Sequence, residues 1–172
     1  MIAMSTSDGV LHFHDWPETT FLAWVAGYFD GEGCVHLRAG NLGVEVTISN
    51  TDPNTLRSIQ ARFGFGTVRV LREPTERHKR QFVWKVNRLR DVRTFLTRVR
   101  GYLTTKAPKA DLAIKRICES VERQNGLEEQ DDKVSELRRS GLSQSAIAAR
   151  VGTSRANVSR ILLRGREERS LL

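Results

Sequence analysis

Asp30 and Glu32 close the run Val25-Ala26-Gly27-Tyr28-Phe29-Asp30-Gly31-Glu32-Gly33. Small residues come before them: Ala23, Ala26 and Gly27 fall on one face if the segment is helical, and let another helix approach closely. The end of such a helix already carries partial negative charge, so two carboxylates there are electrostatically misplaced unless a cation joins them. Hard oxygen donors from Glu32 and the Gly31 region suit Mg2+, or another divalent ion such as Mn2+, with water filling the shell. The alternative is a solvated helix end with a glycine cap.

Those residues need elements to position them. Trp16-Pro17-Glu18 marks a helix start, because proline is tolerated in the first turn and Glu18 complements the dipole. The helix is expected to run to about Asp30 and to stop at Gly31 and Gly33. Cys34–Arg38 and Val44–Ser49 then alternate with period two around a turn at Ala39-Gly40-Asn41. Asp52-Pro53 opens a second helix with Leu56, Ile59 and Phe63 on one face, ended by Gly64 and Gly66. Thr67–Arg72 and Gln81–Arg88 form another alternating pair. A third helix carries Val92, Phe95, Leu96, Val99 and Leu103, and a fourth, after Pro108, carries Leu112, Ile114, Ile117 and Val121.

The fold class is therefore α+β: four antiparallel strands with helices on one face. The open face carries His36, Arg38, Thr47, Ser49, Arg69, Lys85 and Asn87, a polar and basic saddle suited to a DNA groove.

The chain has 172 residues and a formal charge of +8, with 39 % apolar residues. That is enough to bury a core, and the charge favours a polyanionic partner. The excess is concentrated: residues 65–116 hold 15 Lys/Arg against 4 acids, a local +11 that leaves −3 elsewhere. No apolar run approaches the roughly 20 residues of a membrane span, and no membrane partner or small-molecule substrate is expected. The start has no secretory pattern. Cys34 and Cys118 are too few for a disulfide framework or a zinc knuckle and fit a reducing, cytoplasm-like compartment as small buried residues. His12 and His14 fall in a polar arm, and Trp16, Trp24 and Trp84 at patterned positions of core or interface.

The nonapeptide ending Asp30-Gly31-Glu32-Gly33 resembles the motif of the LAGLIDADG homing endonucleases, and the element order over about residues 17–122 resembles that family's αββαββα half-barrel. The resemblance implies site-specific, metal-dependent hydrolysis of double-stranded DNA. It makes Glu32 the metal-binding catalytic carboxylate. Asp30 becomes a mainly structural residue that caps the interface, with Ala23, Ala26 and Gly27 packing between protomers. One motif in the sequence implies a homodimer on a long, roughly palindromic site. Lys106 aligns with a lysine beside the attacking water. Asn50 stands where a glutamine often holds water, although it is shorter. An arginine that some relatives place just after it is replaced by Thr51-Asp52-Pro53.

Residues 141–162 resemble a helix-turn-helix, with Ala148 at the crossing, Gly152 in the turn, and Ile147, Val151, Val158 and Ile161 in a small core. Ser154 would cap the second helix, which offers Ser154, Arg155, Ala156, Ser159 and Arg160 to a major groove. The expected organisation is a loose arm over 1–15, a core over 16–123, a linker over 124–132, a helical DNA-binding unit over 133–165 and a tail over 166–172. A non-catalytic transcription regulator on the same scaffold is the alternative reading.

Overall fold

The computed structural model describes residues 13–38 and 43–167. The expected turn at Ala39-Gly40-Asn41, His12 with the rest of 1–12, and the end of the tail at 168–172 lie outside the described residues. The chain divides into two compact units between Cys118 and Glu119.

In the first unit, a 3-10 turn at Phe13–Asp15 precedes α1 (Glu18–Glu32). Part of the expected loose arm is thus folded: Phe13 is 2 % exposed and packs on Trp16, Phe21 and Trp24. Pro17 caps α1 from just outside it. Phe21, Leu22, Val25, Ala26 and Phe29 are buried along one side of α1, at the spacing of a helical stripe. The helix passes through Gly31, where a stop was expected, and ends at Gly33. A Cβ at Gly33 would lie 1.9 Å from the Phe29 ring, so only glycine lets the chain turn directly into the first strand.

β1 (Gly33–Leu37) pairs with β2 (Val44–Asn50), and β2 pairs with β4 (Gln81–Val86), which pairs with β3 (Thr67–Arg72), all antiparallel, in the order β1-β2-β4-β3. Val35, Val46, Ile48, Trp84 and Val86 face the helices and are buried. Trp84 lies among Phe63 and Phe95 and donates its indole N–H to the Phe65 carbonyl at 3.1 Å.

α2 (Pro53–Phe63) follows Asp52, whose carboxylate accepts from Asn54 and Thr55 N–H groups at 2.9 and 3.1 Å. Gly64 closes it in the left-handed region. α3 (Leu89–Val99) buries Val92, Phe95, Leu96 and Val99 as expected, but Leu103 lies beyond it, after a 3-10 turn at Arg100–Tyr102.

α4 (Ala107–Arg139) runs through the segment expected as a linker, so residues 124–132 are helical. In its first-unit part Ala110, Ala113 and Ile117 are buried, whereas Leu112 and, farther along the helix, Val121 are exposed. Cys34 and Cys118 are half-exposed thiols rather than fully buried ones.

In the second unit, the last turns of α4, then α5 (Gln144–Val151) and α6 (Arg155–Glu167), enclose Val134, Ile147, Ala148, Val158 and Ile161. Among the described residues no helix is long and apolar enough to cross a membrane.

Candidate active site and nucleic-acid interface

Two helix ends meet where α1 stops and α4 begins. The Asp30 carboxylate accepts hydrogen bonds from the N–H groups of Thr104 (2.7 Å), Thr105 (3.3 Å) and Lys106 (2.8 Å), and from the Thr104 hydroxyl (2.8 Å). In return, the Lys106 ammonium donates to the Asp30 carbonyl. Each end thus supplies the charge the other wants: an anion at the start of α4, a cation at the end of α1. Burial works upward on the Asp30 carboxyl, but the bonds from Thr104, Lys106 and Thr105 outweigh it and hold the pKa below its usual value. The misplaced charge at Asp30 therefore has a local explanation that needs no metal.

Glu32 has no such explanation. It is exposed, and among the described residues it makes no hydrogen bond or ion pair. One helical turn earlier, Tyr28 stacks on Trp24, with ring centroids 5.0 Å apart. Asn50 donates from Nδ2 to the Tyr28 hydroxyl oxygen, and its Oδ1 accepts from the Asp52 N–H at 2.8 Å. Burial pushes the Tyr28 hydroxyl pKa up, and the nearby Glu32 charge adds to this. Tyr28 was not among the sequence candidates; its place four residues before Glu32 was the available signal.

Ala23, Gly27 and Gly31 are exposed and four residues apart, whereas Ala26 is wholly buried in its own protomer. Ala26 is thereby removed from the expected interface set. Its smallness serves internal packing. A Cβ at Gly27 or Gly31 would meet nothing within 4 Å, so nothing inside the protomer requires glycine at either place.

The register puts His36, Thr47, Ser49, Arg69 and Lys85 on the face away from the core. Arg38 and Asn87 lie just past strand ends, and both are exposed. His36 Nε2 lies 3.0 Å from the Thr47 hydroxyl. Glu45, opposite His36, belongs to the same face and was missed, although it alternates with Val44 and Val46. It accepts from Lys85 Nζ at 2.6 Å and from Arg38 at 3.1 Å. Burial raises its pKa, but Lys85, Arg38 and His36 outweigh that and lower it. The saddle is therefore less positive than its cations alone suggest.

In the second unit, Ser143 and Ser154 cap α5 and α6 by accepting from the N–H groups of Ala146 (3.3 Å) and Asn157 (3.2 Å). Gly152 takes φ +73 in the turn between them. Arg155, Ala156 and Arg160 are exposed on α6, with Ser159 half-buried beside them. From Leu137 to Arg164 the sequence has six arginines and neither acid nor lysine.

Residues 20–100 match the LAGLIDADG-like domain. The fold is similar to two crystal structures of the homing endonuclease I-CvuI. One holds its target in the presence of calcium (23% identity, TM-score 0.50, covering 86% of this chain and 95% of that one). The other holds the I-CreI target, uncleaved, in the presence of magnesium (24% identity, TM-score 0.50, covering 88% and 96%). No curated protein is similar to the chain at a significant level.

Proposed function

We propose that the protein is a homing-type, site-specific DNA endonuclease that hydrolyses both strands as a homodimer with a divalent cation. The observation that carries this reading is the uncommitted Glu32 carboxylate at the end of α1, beside an Asp30–Lys106 junction whose charges are already matched. The LAGLIDADG-like match and the DNA-bound state of the similar I-CvuI structures support it.

The donor chemistry fits Mg2+ or Mn2+: an exposed carboxylate at Glu32, with the Gly31 carbonyl next to it in the chain. Mg2+ is commonly held by one or two carboxylates together with water and phosphate oxygens, so Glu32 alone is a sufficient protein anchor. In the proposed dimer the Glu32 of each protomer would hold the cation. The cation supplies Lewis acidity, lowering the pKa of water and neutralising charge on the phosphate.

The chain's own residues do the rest. Glu32 would hold the cation at the end of α1, on the exposed side of the helix. Lys106 keeps its ammonium at the same helix end, where donors not used by Asp30 face the reacting oxygens. Asn50 orders the Tyr28 hydroxyl, one helical turn before Glu32. Water adds to phosphorus and gives up a proton to solvent, the bond to the departing deoxyribose oxygen breaks, and that oxygen takes up a proton from solvent.

The exposed row Ala23, Gly27 and Gly31 forms the two-fold contact, with Asp30 holding the helix end beneath it. His36, Arg38, Thr47, Ser49, Arg69, Lys85 and Asn87 line the central DNA contact. The helix-turn-helix offers Ser154, Arg155, Ala156, Ser159 and Arg160 to the flanks.

The test uses a randomised duplex library with Mg2+, sequencing the ends released. The wild-type chain is expected to produce paired cuts within one sequence family. Glu32→Gln should bind the same duplexes and release no ends. Equal cleavage by Glu32→Gln would refute the assignment. Binding without any cleavage by the wild-type chain would favour the regulator.

A further inference from the structure

The phenol of Tyr28 is unusually well aimed for a group outside the motif's acidic pair. Its ring is fixed by Trp24, stacked at 5.0 Å and within 14° of parallel. Its hydroxyl oxygen is fixed by Asn50, and the sense of that hydrogen bond is determined. The Asn50 Oδ1 is taken by the Asp52 N–H at 2.8 Å, so the end of the amide that reaches Tyr28 is its Nδ2. An amide nitrogen only donates. The phenol oxygen must therefore accept, which leaves its own proton free. Among the described residues that proton has no acceptor. Tyr28 is half-exposed, and it lies one helical turn from the uncommitted Glu32.

Resting on the endonuclease reading above, we propose that the Tyr28 hydroxyl is a hydrogen-bond donor of the cleavage site, directed at the reacting oxygens held beside Glu32, with Asn50 as the residue that aims it. The donor serves an oxygen that gains negative charge as water attacks phosphorus. A donor set in place beforehand stabilises that charge without reorganising during the reaction. Asn50 acts through Tyr28 and is a positioning residue. The shortness of its side chain then matters less, because the phenol extends its reach.

The test uses the full chain and a duplex recovered from a randomised library by the wild-type protein. Single-turnover cleavage is measured at saturating Mg2+, DNA affinity with the metal chelated, and the thermal midpoint separately. Tyr28→Phe keeps the ring and its stacking. It should slow cleavage by about 100-fold, the order found for removal of one such donor, with affinity and midpoint near wild type.

Asn50→Asp provides the second arm. Its carboxylate can still accept from the Asp52 N–H, but it turns the phenolic proton onto itself. It should reproduce the Tyr28→Phe loss, and the double variant should be no slower than Tyr28→Phe alone. Wild-type cleavage by Tyr28→Phe, with Glu32→Gln inactive, would overturn this proposal and leave the endonuclease reading standing. A Tyr28→Phe loss that merely tracks weaker binding or a lower midpoint would overturn it as well. Cleavage by Glu32→Gln would instead remove the reading on which it rests.

Discussion

Asp30 and Glu32 sit two residues apart and have opposite fates. Asp30 is consumed in holding the segment that enters α4, and Glu32 is left open among the described residues. Asp30→Asn should therefore destabilise the fold by about 1–2 kcal/mol, the scale of a missing helix cap. The sign of the pH effect follows from its lowered pKa. A carboxyl depressed in the folded state stabilises fully above its ordinary value of 3.8, and that contribution disappears as pH falls through the lower folded value. Thermal melts at pH 7 and pH 3 should show the gap between wild type and Asp30→Asn narrowing in acid. The sequence pointed to both carboxylates because helix-end electrostatics is local. Helix-end electrostatics alone could not separate them, because the partner of Asp30 arrives from 74 residues away; only the resemblance gave Asp30 a structural role and Glu32 a catalytic one. Glu45 was missed for a related reason. An acid on a basic face looked out of place until the register set it between Lys85 and Arg38.

The strands were legible because one buried face imposes period two, and a slip of one residue would turn every side chain over. The helices of the first unit were legible from their apolar stripes and from Asp52-Pro53 and Gly64. Residues 124–132 were not legible. A stretch without an apolar stripe, interrupted by Gly126, reads as a linker, yet its Glu, Gln and Leu residues favour helix. Gly126 provides the check. It lies inside α4, and a Cβ there meets nothing within 4 Å. Gly126→Ala should stabilise the helix by about 1 kcal/mol, visible as slower amide exchange over residues 120–132. An unchanged exchange rate would argue for a flexible connection.

The dimer and the flanking contacts belong to the scale of the whole molecule. Gly27→Leu places a large side chain on the exposed row of α1, where nothing in the protomer opposes it. The variant should fold, sediment as a monomer and fail to cut. Arg155→Ala with Arg160→Ala should keep the cleavage position while flattening the salt dependence of binding by about 0.9 log units for each phosphate no longer neutralised. An unchanged slope would make α5 and α6 a protein-binding module. Gly27 also has a consequence for the free protomer. Glycine inside a helix costs about 1 kcal/mol relative to alanine, and Gly31 weakens the final turn further. On helix propensity alone the turn that carries Glu32 is weak; the bonds from residues 104–106 to Asp30 hold its inner side, and in the proposed dimer association would firm its exposed side. Amide protection over residues 29–33 should then rise with protein concentration, and activity per protomer should fall on dilution faster than the loss of molecules explains. The catalytic end of α1 would be completed by mass action, and a solitary copy would carry a loose and harmless site.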